Sequence, residues 1–467
     1  MTQTILHTPV CDLLGCRYPL FLAGMGGVAR SELVGAVTAA GGFGFLGMVR
    51  EPVRLIEAEI GRVREAGHER FGVNLIPAAT DAALLAAQIE CCIGLAVPVV
   101  CLFWDIDAAV VRRLRDAGIV VVYQVGSAAE AREAEQAGAQ VLIAQGIEAG
   151  GHVRATRPLA ETLPEVLAAT ALPVLAAGGI ADGGDVATLL ALGADGAVLG
   201  TALIATVEAF AHDYHKQRLV AATAHDTALT EAFHVNWPPG APVRVLRSAV
   251  TQGERGDPFT AAPTVIGEEE GRPIHLFSTD SPLRSMHGEF EAMALYAGTG
   301  VGKVHEVVPA GERLAAIAGA AEAALAALGP GRERIELTSS VCYADEVGAE
   351  YMGLLGRDEL LVRLNGLVDA LRAALRQELR RPGSATGLPW ANQCARWAWQ
   401  LARLVERRGG TATRADGDHA LPRGLTPDAA AREIEARVRA LLPLVADECV
   451  RGPLEAVLAD IAVPVDA

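Results

Sequence analysis

The sequence predicts an α/β protein: a closed (β/α)8 TIM barrel with an inserted smaller lid and a C-terminal all-α helical bundle. Three observations predict it. Eight short apolar runs in the first two hundred residues have the profile of strands buried on both faces. Their starts lie 23, 29, 26, 22, 22, 32 and 23 residues apart, and each gap fits one helix with two loops. After Thr201 the alternation stops, and beyond Gly329-Pro330-Gly331 the chain reads as helical.

The eight runs are Pro19–Met25, Gly42–Met48, Phe71–Ile76, Val97–Trp104, Ile119–Val125, Val141–Gly146, Pro173–Ile180 and Gly196–Gly200. Ala/Glu-rich Ala128–Ala137 between two of them is a helix stopped by Gly138, and Asp185–Leu192 before Gly193 repeats the pattern. Strands alternating with helices give a parallel sheet. An open doubly wound sheet meets the same alternation, but eight nearly evenly spaced units favour closure. Segment 202–288 is irregular, with Trp237-Pro238-Pro239-Gly240 at its middle and an acidic turn at Gly267–Gly271. It reads as a lid or substrate subdomain over the barrel mouth. Segment 289–330, broken at Ala297–Gly302, is expected to return to the barrel with its last helix. The barrel therefore takes 1–201 and 289–330. Residues 331–467 make the bundle, with helices near 357–381, 389–408, 426–442 and 443–460.

Composition narrows the function. The 467 residues are 51% apolar and 21% charged, an ordinary globular balance. Forty Lys+Arg against 56 Asp+Glu give a net charge of −16, which repels phosphate backbones and excludes nucleic acid as the expected partner. The longest apolar run, Cys91–Trp104, has 14 residues and a proline, short of the roughly 20 a membrane span needs. Met1-Thr2-Gln3-Thr4 does not open a secretory signal, and eight scattered cysteines do not form a disulfide framework. A reduced, cytoplasmic setting is expected.

In such barrels chemistry sits in the loops after the strands, and phosphate binds after the seventh and eighth. Glycines stand at both places: Ala177-Gly178-Gly179-Ile180 ends the seventh strand and Leu199-Gly200-Thr201 the eighth. Glycine lets backbone N–H groups close on a phosphate; either run alone reads first as a tight turn, and two runs at the two expected strand ends favour a phosphate-bearing ligand. The strongest local signal, Ala144-Gln145-Gly146-Ile147-Glu148-Ala149-Gly150-Gly151-His152, follows the sixth strand. Gly150 and Gly151 would bring backbone near a ligand and leave His152 at the mouth to move a proton. A loop histidine capping backbone groups is the plainer reading.

These residues resemble the FMN-dependent nitronate monooxygenases. The resemblance runs from near Pro9 to about Leu328. It rests on Leu22-Ala23-Gly24-Met25-Gly26-Gly27, Phe71-Gly72-Val73-Asn74-Leu75, the run ending in His152, Ala176–Asp182, Val198–Thr201 and the late glycines of Ala297–Gly302. It implies FMN across the barrel mouth, with the phosphate on Gly178, Gly179, Gly200 and Thr201. Gly24 and Met25 would line the ring, while Asn74, Gln145 and, more weakly, Gln124 would bond the ring or ribityl chain. His152 would deprotonate a nitroalkane, or hold an anionic nitronate while charged, with a small molecule and O2 as substrates. Three departures fall on the substrate side: Gly24 where proline is common, Val153-Arg154-Ala155-Thr156-Arg157 after His152, and Thr299 where glutamine is common. Arg154 and Arg157 stand where they could meet an anionic substrate.

Two other readings share the pattern. A flavin-dependent enoyl-acyl-carrier-protein reductase would use the same barrel and a Gly-Gly-His run with NAD(P)H, although an acidic chain suits an acidic carrier protein poorly. A non-catalytic scaffold is the third. His212 and His215, at i and i+3, lack a third ligand, so no metal is expected there. The tail faintly resembles ferritin-like domains, but its one histidine is His419 and it has no Glu-x-x-His. It is expected to be metal-free and to dimerise or to dock a protein partner.

Overall fold

The computed structural model describes residues 6–170, 172–327 and 455. The expected bundle at 331–467 therefore lies outside the described residues, Glu455 excepted. All eight apolar runs are strands. They are β1 (Leu20–Leu22), β2 (Phe43–Gly47), β3 (Gly72–Leu75), β4 (Val99–Leu102), β5 (Val120–Val125) and β6 (Val141–Gln145). After the two-residue β7 (Gly151–His152) come β8 (Val174–Ala177) and β9 (Gly196–Leu199). β1 to β6, β8 and β9 pair in parallel in chain order, and β9 pairs back to β1, closing the barrel.

The helices between them are α2 (Ser31–Ala39), α3 (Val53–Glu65), α4 (Ala82–Gly94), α5 (Ala108–Asp116), α6 (Ala128–Ala137), α7 (Leu159–Ala169) and α8 (Gly183–Leu192). A short α1 (Pro9–Leu14) precedes β1. Side-chain caps set several starts. Asp81, Asp107 and Ser127 accept from amides of the first turns of α4, α5 and α6, and Asp182 with Asp185 forms a capping box on α8. The helix after β9 is only one turn, α9 (Thr201–Ile204), and the outer position it would fill is taken by α11 (Ala310–Ala327), packed on α8 and α2. α11 lies within the segment expected to supply the barrel's last helix.

The interior is built by large-against-small packing. Phe21, Phe43 and Phe45 are fully buried, with the Phe43 and Phe45 ring centroids 5.1 Å apart. A Cβ on Gly72 would come within 2.3 Å of Phe45, and one on Gly196 within 2.6 Å of Phe21. These strand glycines leave room for the rings.

Between α9 and α11 lie α10 (Asp213–Val220) and two small antiparallel sheets. One contains β10 (Thr227–Thr230), β11 (Val243–Leu246) and β7; the other contains β12 (Val265–Glu269), β13 (Arg272–His275) and β14 (Met286–Gly288). The first holds a feature the sequence did not disclose. The loop after β6 is itself a strand, with His152 opposite Val243 and Gly151 opposite Arg244. The inserted segment is therefore hydrogen-bonded to the barrel loop that carries the histidine. Among the described residues no helix is long and apolar enough to cross a membrane.

Candidate active site

Strand parity places the polar side chains. Alternate residues of a barrel strand face inward. Asn74 follows inward Gly72 by two, Gln124 follows Val122, and Gln145 follows Ile143, so all three reach the interior at the carboxyl ends of β3, β5 and β6. They line a cavity of about 560 Å³ at the barrel mouth, a size that suits a drug-sized ligand or cofactor. Gly24, Met25, Gly150, Gly151, His152, Gly178, Gly179, Gly200 and Thr201 line it too, whereas Arg154 and Arg157 do not. The inserted segment supplies further wall, including Trp237, Glu269, Arg272 and Asp280, and Tyr296 adds to it from just beyond the insertion.

The amides differ in how far the protein already uses them. Asn74 donates to the Cys101 carbonyl at 3.2 Å. Gln145 is more committed: its Nε2 donates to the His152 carbonyl at 2.9 Å and its Oε1 accepts from the Arg154 amide at 2.8 Å. Its first task is to fix the backbone on both sides of His152.

The glycines divide in the same way. A Cβ on Gly24 would sit 2.2 Å from the Cβ of Asn74, so Asn74 fills the space that a proline would need. Gly150 and the late motif interlock, since a Cβ on Gly150 would lie 2.5 Å from the Gly298 nitrogen and one on Gly300 2.4 Å from the Gly179 carbonyl oxygen. The Thr201 hydroxyl accepts from the Gly298 amide at 2.9 Å, and Thr299 donates its amide to the Glu148 carbonyl at 3.0 Å. The late glycines thus brace the β6, β8 and β9 turns from behind. Gly178 and Gly179 have φ of 123° and 70°, which side-chain-bearing residues rarely adopt. Their amides donate to no backbone carbonyl among the described residues, although Gly178 is buried. Buried N–H groups are nearly always paired, so these point to an acceptor supplied by a ligand.

His152 is 8% exposed. Its ring stacks on Trp237 with centroids 3.5 Å apart and planes 8° from parallel. Its Nε2 has no hydrogen-bond partner among the described residues, and neither has the Trp237 indole N–H. Two buried polar atoms beside one cavity again require a ligand or water. Burial, reinforced by the nearby Arg50 charge, pushes the His152 pKa down to about 3. That shift favours the neutral imidazole near pH 7. Arg154 and Arg157 are not free for substrate. Arg154 pairs with Glu130 at 2.5 Å and Asp105 at 3.2 Å, and Arg157 pairs with Glu161 and Glu165.

The sequence reading missed Arg50, Trp237 and Tyr296 as parts of the site, and Trp104 as the ring packed against Trp237. Trp237 had a local signal in its Pro-Pro-Gly turn. Arg50, with φ of 58°, had none. His212 and His215 do not converge: His212 caps α10 by accepting from the Tyr214 amide, while buried His215 bonds the Tyr296 carbonyl at 3.0 Å.

With the cavity defined, comparison with known proteins is informative. The sequence profile of the nitronate monooxygenase family matches residues 7–318. The chain belongs to the nitronate monooxygenase family. It is thus an oxidoreductase of a flavin-dependent family, on the TIM barrel the sequence predicted. A solved nitroalkane oxidase from Streptomyces ansochromogenes is 30% identical with a TM-score of 0.57, covering 69% of this chain and 100% of that one. FabK from Thermotoga maritima is 29% identical with a TM-score of 0.60, covering 69% and 98%. A Mycobacterium tuberculosis relative is 36% identical over 266 residues, 55% of this chain and 72% of its own. Its name is (3aS,4S,5R,7aS)-5-hydroxy-7a-methyl-1-oxo-octahydro-1H-indene-4-carboxyl-CoA dehydrogenase.

Proposed function

We propose that the chain binds FMN at the barrel mouth and oxidises a small nitronate, or its parent nitroalkane, with O2. The observation that carries this reading is the set of unpartnered buried donors and acceptors around one cavity, within a chain of this family. FMN fits them. The amides of Gly178 and Gly179, with Gly200 and Thr201, would take its phosphate; Gly24 and Met25 would flank its ring; Asn74 and Gln124 would bond its polar edge. Gln145 would act mainly by holding the 152–154 backbone. When bound, the flavin would supply the electron-transfer chemistry.

The chain's own residues then orient the substrate, exclude water and handle one proton. Trp237 and Trp104 form an apolar wall beside His152, their centroids 5.7 Å apart. Neutral His152 presents Nε2 to accept the α-proton of a nitroalkane or to bond a substrate oxygen. A base whose conjugate acid sits at about 3 accepts that proton poorly. Nitronate, which has already lost it, is therefore the favoured form.

A second reading is kept on one observation, the 36% relative named as a carboxyl-CoA dehydrogenase. In it the same cavity serves redox chemistry on an acyl thioester with NAD(P)H, as in an enoyl-thioester reductase. Anaerobic titration separates the two. Bleaching of the flavin band by propyl-2-nitronate supports the nitronate reading, and bleaching by NADPH with no response to nitronate supports the thioester one.

A further inference from the structure

We infer that Arg50 is the anion-recognition residue of this cavity, selecting substrates with a delocalised two-oxygen anionic head such as a nitronate or a carboxylate. The inference deepens the nitronate reading and rests on it, but it does not require turnover.

The cavity wall contains two arginines, Arg50 and Arg272, and three carboxylates, Glu51, Glu269 and Asp280. The nearest ion pairs of these carboxylates are with other arginines, although Glu51 also feels the Arg50 charge. Glu269 and Asp280 both pair with Arg272, at 2.8 and 3.0 Å, and Glu51 lies 3.9 Å from Arg30. Among the described residues no carboxylate lies within 4.0 Å of the Arg50 guanidinium. Its hydrogen bonds go to neutral acceptors, the Asn236 carbonyl at 3.0 Å and the Thr279 hydroxyl at 3.0 Å. A partly buried guanidinium satisfied only by neutral groups retains its charge for a ligand, and its planar fork matches a two-oxygen anion.

Two further observations agree. Arg50 and Asn236 both hold left-handed backbone, with φ of 58° and 73°, a conformation that costs the arginine some strain. Asn236 also precedes Trp237, the residue stacked on His152, so the guanidinium is tied to the proton-handling wall. The arginines that the sequence suggested for this task, Arg154 and Arg157, are held by carboxylates.

The experiment compares an isosteric pair, isobutyrate and isobutyramide, titrated against the FMN-loaded protein by calorimetry. The expected result is at least ten-fold tighter binding of isobutyrate. Arg50→Gln should abolish that preference while leaving isobutyramide within three-fold, and Arg50→Lys should keep part of it. Equal affinity of the unaltered protein for the two probes overturns the inference, even if Arg50→Gln fails to fold. So does an Arg50→Gln protein that loses both probes equally, the mark of a merely structural arginine. Isobutyrate preference in a protein that does not oxidise propyl-2-nitronate would leave Arg50 standing and sink the nitronate reaction instead.

Discussion

At His152 the governing quantity is solvation. Stacked on Trp237 and cut off from water, the ring stays neutral at physiological pH and offers one bare nitrogen to the cavity. His152→Ala should therefore retain flavin but lose more in kcat/KM on a neutral nitroalkane than on the nitronate. Steady-state rates on the matched pair check this, and equal losses on both would remove the proton role. Gly24 is a steric claim. A Cβ 2.2 Å from that of Asn74 must displace β3 or the loop, so Gly24→Ala should cost about 1–3 kcal/mol and weaken flavin retention, read from melting and the bound-flavin ratio. A second buried ring extends the argument to pH. His152 and His215 are pushed down by burial to about 3 and about 4, against 6.5 when unfolded. Below about pH 6.5 the unfolded chain takes up protons that these sites refuse. Stability should be full above that pH and fall on acidification by about 1.4 kcal/mol per pH unit for each ring. Denaturation between pH 7.5 and 5 measures the slope; His215→Gln should make it shallower, and an unchanged slope would contradict the assignment.

At the scale of elements, β7 links the barrel to the insertion. Its pairing with β11 and the two Gln145 hydrogen bonds hold the histidine where the cavity needs it. Gln145→Leu should leave the Arg154 amide and the His152 carbonyl unpaired, costing about 1–3 kcal/mol and lowering turnover more than flavin content. Loss of turnover strictly in proportion to bound flavin would argue instead that Gln145 serves the cofactor. This element also marks the limit of what the sequence disclosed. The eight barrel strands were legible because burial on both faces writes them as continuous apolar runs, whereas Asn74, Gln124 and Gln145 were reached only through the family resemblance. β7 was not legible, because two residues paired to a strand some ninety positions later leave no local period. Arg50 and Trp237 were missed as site residues for the same reason, since their partners are distant in the chain. Arg157 could have been discounted from sequence, because Glu161 stands four residues on at helical spacing.

For the whole molecule, the account is a closed barrel whose large-against-small interior holds eight strand ends rigid, with an insertion that walls the space above them. A ligand that binds only the folded state adds stability by mass action, so FMN at a hundred times its Kd should contribute about 2.7 kcal/mol and raise the thermal midpoint in a concentration-dependent way. Riboflavin, lacking the phosphate, should do so less if the Gly178–Gly179 turn is the anchor. A scaffold that binds no cofactor predicts no such rise. The central claim is that this cavity holds FMN for a nitronate, and one titration tests it most directly. The yellow, FMN-loaded protein is mixed anaerobically with propyl-2-nitronate while its visible absorbance is followed. The account predicts that the flavin band bleaches with nitronate and returns when O2 is admitted; a protein that takes up no FMN, or whose FMN ignores nitronate and is bleached by NADPH, contradicts it.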